Sequence, residues 1–358
     1  MPKIKIPGMI DPHTHLRDLD WSHKATFASE TKAAIAGGYW AVFDMPNTAP
    51  STIDDDRLTE KLARIDKQAH CDFGLYFGAS QTDNSAEYER IASRVCGLKI
   101  YNNSTTGDLL INTSAMRERH YRAWTTNRLI AVHAEGETVA NILDLVRKYR
   151  QPTHFLHISS EYEINLLTQA KQDGLPITVG VCPHHLFLTE DDLPTLGGYG
   201  RMKPELKRKS DQRALWRAIR LGVVDIIESD HAPHTKAEKE AEPPAYGVPG
   251  VETTLPLLMQ AVRDGRLPLQ QACDMVSLNV QRIWRISPLP KTYTLVDTDH
   301  SYVIDRRQLI SKCGWSPFEG MRVCGKVIEV WIRGHQVYDG ETVLSEAGFG
   351  RNLFGFVA

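Results

Sequence analysis

The sequence predicts an α/β fold, a (β/α)8 barrel of the TIM type with a small β appendage formed mainly by the C-terminal segment. Three observations carry this expectation. Eight short apolar runs alternate with stretches of helical composition, as a parallel sheet covered by helices requires. Conspicuous polar residues fall where those runs end, and barrels assemble their sites at the C-terminal ends of their strands. After about residue 290 the alternation gives way to strand-like runs, so the barrel is expected over residues 1–290 and the appendage over 291–358, with residues 1–6 joining the appendage.

The first run holds Ile4, Ile6, Met9 and Ile10 and leads into Asp11-Pro12-His13-Thr14-His15-Leu16-Arg17. Strand side chains alternate with period two, so His13 and His15 share one face, an arrangement that suits a metal ion. Ser22 to Ala36 has helical apolar spacing and stops at Gly37-Gly38, a favourable C-terminal signal. Tyr39 to Phe43 is a strand ending in the turn Asp44-Met45-Pro46-Asn47-Thr48, and a helix follows from about Asp54 to Lys67. Six further strands are expected at Phe73–Phe77, Gly97–Tyr101, Leu129–His133, Thr153–Ile158, Ile177–Val181 and Val223–Glu228. Helical segments between them include Glu137–Arg150, Glu161–Asp173 and Asp211–Leu221. Beyond the barrel strands, Val251–Arg263 and Leu269–Ile286 read as helices. Tyr293–Val296, Ser301–Ile304 and Val327–Arg333 read as strands, with a hairpin at Gly334-His335-Gln336-Val337.

Composition narrows the partners. With 42% hydrophobic residues in 358, the chain can bury a sizeable core, and a formal charge of -2 supplies no basic field for nucleic acid or an anionic membrane. A small-molecule partner is expected. Six cysteines are scattered without a C-x-x-C, so neither a disulfide framework nor a thiolate zinc site is indicated. The opening Met1-Pro2-Lys3-Ile4-Lys5 is not followed by an apolar leader, and no run reaches membrane-spanning length, which together predict a cytoplasmic location.

His13, His15, Lys99, His133, His157 and Asp230 all fall at strand ends. Six candidate ligands exceed what one ion takes and point to two metals sharing a bridge. Lysine cannot ligate as an ammonium, but a buried, cation-crowded lysine becomes neutral and can add carbon dioxide, giving a bridging carbamate. Asp230 lies in Ser229-Asp230-His231-Ala232-Pro233-His234, where it is expected to ligate metal and carry protons while His231 orients its neighbours.

Six motifs carry a resemblance. They are Pro7-Gly8-Met9-Ile10 with the His-x-His stretch through Arg17, Met45-Pro46-Asn47-Thr48, Gly97-Leu98-Lys99-Ile100-Tyr101, Val132-His133-Ala134-Glu135, Pro183-His184-His185-Leu186, and Ser229 through His234. In this order the chain resembles the dihydroorotases of the cyclic amidohydrolase superfamily, in particular the dihydroorotase domain of animal multifunctional pyrimidine-synthesis proteins. Trp315-Ser316-Pro317-Phe318-Glu319-Gly320 adds to that likeness.

The resemblance implies two zinc ions per chain, one on His13 and His15 and one on His133 and His157, bridged by carboxylated Lys99, with Asp230 on the first. It implies reversible closure of N-carbamoyl-L-aspartate to L-dihydroorotate through a metal-bridging hydroxide, with Asp230 as acid and base. Arg17, Asn47 and His234 match the clamp for the substrate carboxylate, and Asn279, Pro249 and Gly250 match positions that bind the ring. Thr105 and Thr106 belong to a mobile loop, where Thr106 replaces an aromatic lid residue and weaker closure is expected. Gly180 stands where the animal relative has a glutamate of an additional metal site, so two metals rather than three are expected, and His184 and His185 are read as structural. A homodimer and association with aspartate transcarbamoylase are implied by analogy. Two alternatives share the resemblance: a sibling hydantoinase or allantoinase, and a catalytically inactive scaffold that pairs with aspartate transcarbamoylase.

Overall fold

The computed structural model of the chain describes residues 3–355; Met1, Pro2 and residues 356–358 of the two expected domain ranges lie outside the described residues. Eight parallel strands form the barrel in the order β2 (Met9–Thr14), β3 (Tyr39–Asp44), β4 (Asp72–Gly78), β5 (Gly97–Tyr101), β6 (Leu129–His133), β7 (Thr153–Phe155), β8 (Ile177–Val181) and β9 (Ile226–Ile227). A four-stranded antiparallel sheet takes the N-terminal β1 (Lys3–Pro7) and the C-terminal β10 (Tyr293–Val303), β11 (Arg322–Ile332) and β12 (His335–Tyr338), in the order β1-β10-β11-β12. The appendage is therefore built from both ends of the described chain, with Ile4 opposite Val296 and Val296 opposite Val327. Among the described residues no helix is long and apolar enough to cross a membrane.

Local chemistry sets the element ends. The helix expected from Ser22 begins at Phe27, because Thr26 is its cap: the Thr26 hydroxyl accepts from the Ser29 N–H at 3.0 Å. Residues Leu19–Trp21 form a separate 3-10 turn, and the Asp18 carboxylate accepts from the Leu19 and Phe27 N–H groups. The single helix expected over Leu269–Ile286 is two, Leu269–Val276 and Leu278–Trp284, broken at Ser277, whose hydroxyl donates back to the Cys273 carbonyl at 2.6 Å. The sixth barrel strand ends at Phe155, short of its apolar run, because the chain turns at His157 (φ 38°), whose N–H donates to Glu228; the eighth keeps only Ile226–Ile227 of its run.

The two sheets share one core. The helix Thr254–Arg263 packs against β11, and Gly325 allows the close approach: a Cβ there would lie 2.5 Å from Met259 Cγ, and its φ is +88°. Phe43, Phe73, Trp284 and Val330 belong to the same buried cluster, which spans barrel and appendage. A second cluster, with Leu188, Met202, Leu257, Trp315 and Phe318, lies where the segment between β10 and β11 meets the loops of the barrel.

Candidate active site

The barrel closes at its C-terminal end. β9 and β2 are joined by the bridge Thr14–His231, with the His15 N–H donating to the His231 carbonyl at 2.7 Å. Asp11 reinforces this seam, because one carboxylate oxygen accepts from the N–H groups of both His13 and Ser229. His13, His15 and Asp230 therefore meet across it. Asp230 Oδ1 lies 3.1 Å from His13 Nε2 and 3.2 Å from His15 Nε2, and all three residues are buried or nearly so. His15 Nδ1 is 2.8 Å from Asn47 Oδ1; donating there leaves Nε2 as a bare lone pair.

His133 and His157 stand beside this group. Their ring centroids are 4.5 Å apart, and the His157 ring is 5.2 Å from that of His13. His133 Nε2 donates to Glu135 Oε1 at 3.0 Å, which leaves its Nδ1 unprotonated. Lys99 is fully buried in β5, and its Nζ has no hydrogen-bond partner among the described residues. Burial lowers its pKa to about 7, against the opposing pull of Asp230 and Glu228. Burial also holds His13, His15 and His157 well below the usual imidazole range and raises Asp230 to about 6. Three of the site residues have left-handed backbones: Arg17 (φ 63°), His157 (φ 38°) and Asp230 (φ 48°). Such strain persists only where surrounding contacts impose it, and it concentrates at functional sites.

Arg17, Asn47, Thr105, Thr106 and the six candidate ligands line one small cavity, with Tyr101, Lys203, Ala232, Tyr246 and Gly247 completing the wall. Arg17 is buried but is not paired with Asp18 or Asp20. Its Nε donates to the Pro233 carbonyl at 3.1 Å and its Nη2 lies 3.0 Å from His234 Nε2, leaving most of its five N–H donors for a ligand. The loop carrying Thr105 and Thr106 is docked over the cavity: Asn47 Nδ2 donates to the Thr106 carbonyl at 2.8 Å, and the Thr106 hydroxyl donates to the Tyr246 carbonyl. His234 is fixed from outside as well, since Trp315 Nε1 donates to its carbonyl at 2.8 Å.

Three expected ring-binding residues are not in this cavity. Asn279 Nδ2 donates to the Asp225 carbonyl at 2.8 Å, at the N-terminal end of β9 and so at the opposite end of the barrel strands. Its helix packs under the barrel, which corrects the ring-binding expectation. Pro249 and Gly250 lie behind the site: the Gly250 N–H donates to His231 Nδ1 at 3.1 Å, while His231 Nε2 faces Glu30 Oε2 at 2.7 Å. From their loop it is Tyr246 and Gly247 that reach the cavity, so this expectation too is corrected.

Sequence reasoning missed Lys203, Tyr246 and Glu228. The first two come from irregular segments where no periodicity marks a strand end. Glu228 was visible only as the last residue of an apolar run. His184 and His185 are buried beyond β8, with His185 Nε2 donating to the Pro204 carbonyl.

The donor set fits divalent metal. Lone pairs of buried imidazoles converge with a carboxylate, the ligand atoms of His13, His15 and Asp230 lie within 4.8 Å of one another, and Lys99 Nζ and His157 Nδ1 are buried polar atoms without partners. Zinc suits such nitrogen and oxygen donors.

The chain matches the Amidohydrolase family over residues 4–287. It is 40% identical over 353 residues to multifunctional protein CAD of Squalus acanthias, covering 98% of this chain and 16% of that protein. With the dihydroorotase of Pyrococcus furiosus it shares 33% identity over 370 residues, 96% of this chain and 84% of the relative. Two solved structures are also similar. The L-hydantoinase of Arthrobacter aurescens superposes with a TM-score of 0.93 at 24% identity, covering 98% of this chain and 89% of that one, a likeness of fold. The inactive dihydroorotase-like domain of a Chaetomium thermophilum CAD-like multifunctional protein gives 0.81 at 25% identity, covering 99% and 100%.

Proposed function

The chain belongs to the amidohydrolase family, as a cyclic amidohydrolase of the dihydroorotase type, and we propose that it catalyses the reversible closure of N-carbamoyl-L-aspartate to L-dihydroorotate in pyrimidine synthesis. The observation that carries this reading is Arg17: a buried guanidinium with, among the described residues, no carboxylate partner of its own, on the wall of the cavity that holds the His/Asp/Lys cluster. Dihydroorotate carries a carboxylate beside its ring. A planar fork of N–H donors is the group that recognises it.

His13 and His15 with Asp230 would hold one zinc ion, His133 and His157 the other, and carboxylated Lys99 would join them. Bound there, the pair would polarise the ring amide and bring the pKa of water toward neutrality. The side chains do the rest. Arg17, Asn47 and His234 bind the carboxylate, with Lys203 as a second cation on the same wall. Asp230 Oδ1 faces the two imidazoles, so Oδ2 exchanges the proton: onto the ring nitrogen in hydrolysis, and off the carbamoyl nitrogen in closure. The docked Thr105–Thr106 loop keeps bulk water from the cavity.

The test is an assay of dihydroorotate hydrolysis and N-carbamoyl-L-aspartate closure, with zinc stoichiometry on the same sample. Turnover in both directions with two zinc ions per chain is expected; hydantoin or allantoin opened far faster would overturn the substrate. The scaffold alternative predicts less than one zinc and no turnover, and the complete ligand set argues against it. A homodimer and association with aspartate transcarbamoylase belong to the same reading, testable by native mass and copurification. Six buried, unpaired cysteines suit the reducing cytoplasm in which it would work.

A further inference from the structure

We propose that Glu228 is a positioning residue for the metal cluster, fixing the imidazole of His13 and the backbone of His157, and that residue 180 is glycine in order to admit it. This rests on the binuclear reading of the cluster and adds a residue to it.

Glu228 follows β9 directly and is completely buried. Its Oε1 accepts from the His157 N–H at 2.6 Å, which holds that residue in its left-handed turn off β7. The same oxygen lies 3.7 Å from His13 Nδ1. His13 points its Nε2 at Asp230 Oδ1, so when Nε2 is a metal ligand the ring proton sits on Nδ1, which is buried without a hydrogen-bond partner among the described residues and faces the Glu228 carboxylate across 3.7 Å, an electrostatic contact rather than a hydrogen bond. A carboxylate behind a ligating histidine fixes both tautomer and ring direction and makes the ligand more basic. Glu228 Oε2 faces His154 Nε2 at 3.3 Å, and His154 Nδ1 lies 2.8 Å from the Thr178 hydroxyl, so the carboxylate is itself held from below. Among the described residues no lysine or arginine forms an ion pair with it. An acid buried without such a cation is costly unless its surroundings use the charge.

Gly180 on β8 supplies the room. A Cβ there would stand 2.5 Å from Glu228 Oε1, 2.7 Å from its Cδ and 3.0 Å from His154 Nε2. The backbone of Gly180 is not left-handed, so any residue could adopt it, and the demand for glycine is one of space. An aspartate carries its carboxylate oxygens at nearly that 2.5 Å from its own Cβ. In the absence of Glu228, Gly180→Asp therefore returns an oxygen to the vacated place.

The experiment measures zinc affinity by competition with a chromogenic chelator, with the melting temperature of the metal-free form as a check on folding. Glu228→Gln is expected to weaken zinc binding about 10- to 100-fold, and Gly180→Ala to act in the same direction by displacing the carboxylate. Glu228→Ala should be at least as weak. Glu228→Ala/Gly180→Asp should recover to within a few-fold of the parent, whereas Glu228→Ala/Gly180→Asn should not, because a role in filling space would be met by either. Parental zinc affinity in both Glu228→Gln and Gly180→Ala, or equal rescue by Asp and Asn, overturns the proposal. A parent chain that takes up no zinc overturns this proposal and the binuclear reading together. One that takes up zinc but leaves dihydroorotate intact overturns the substrate assignment alone, since the affinity comparison does not depend on turnover.

Discussion

Arg17 is folded into the interior with the Pro233 carbonyl as its acceptor and, among the described residues, no carboxylate in contact, which is why a bound carboxylate should gain so much from it. Losing a charged hydrogen-bonding partner costs about 1.5–3 kcal/mol. Arg17→Met should therefore raise KM for dihydroorotate about 10- to 100-fold in steady-state kinetics, with a smaller change in kcat. An unchanged KM would remove it from the clamp. Lys99→Ala should abolish most turnover and leave one zinc or fewer per chain by metal analysis; two tightly held ions in that variant would exclude the carbamate bridge. At this scale the sequence was most legible where a chemically distinctive residue closed or just followed a strand, as at His13, His15, His133 and His157, or stood within one, as Lys99 does in β5. It was least legible where the residue is defined by what lies opposite. Gly180 and Glu228 meet only because β8 and β9 are neighbours, and neither residue alone signals the other.

The elements explain which expectations failed. Asn279 lies just past the Ser277 break, on a helix whose start is turned toward the Asp225 end of β9. Asn279→Ala should leave KM for dihydroorotate unchanged and lower stability by about 1 kcal/mol, read from urea unfolding; a raised KM would return it to the site. Trp315 lies in the segment between β10 and β11, yet its indole N–H holds the His234 carbonyl. Trp315→Phe keeps an aromatic ring but loses that bond and part of the buried indole's volume, and a several-fold rise in KM with zinc content unchanged is the expected outcome. Strand and helix order followed from apolar periodicity. Their ends did not, because side-chain caps such as Thr26 and turns such as that at His157 answer to local hydrogen bonds that periodicity does not register.

Barrel and appendage are joined through a half-buried acid. Glu252 accepts from the Ile310 and Ser311 N–H groups at 2.7 and 2.9 Å, and burial nevertheless raises its pKa from 4.5 to about 8. Between those values the folded chain holds a proton that the unfolded chain has released, so this group lowers stability as pH rises through that window. Glu252→Gln cannot titrate. Whatever its baseline cost, its stability relative to the parent should improve from pH 5 to pH 8, by at most about 1.4 kcal/mol per unit, in urea titrations at each pH. A pH-independent difference would show the carboxylate to be ionised throughout. The two-sheet architecture was legible from the change of pattern near residue 290, but this junction was not, since it links an acid at one helix start to backbone amides almost sixty positions on.

The seam at β2 and β9 also bears on how the chain reaches this structure. The contacts that close it join residues 218 positions apart, as between Asp11 and Ser229, while each neighbouring strand pair around the rest of the ring is separated by a much shorter stretch. Contacts of such sequence separation carry the largest loop-closure entropy and form late. His13 and Asp230 therefore come together only when the strands between them are in place. A metal ion that needs both His13 and Asp230 would then bind only a chain whose ring has closed, so its uptake is expected to follow the closure of this seam.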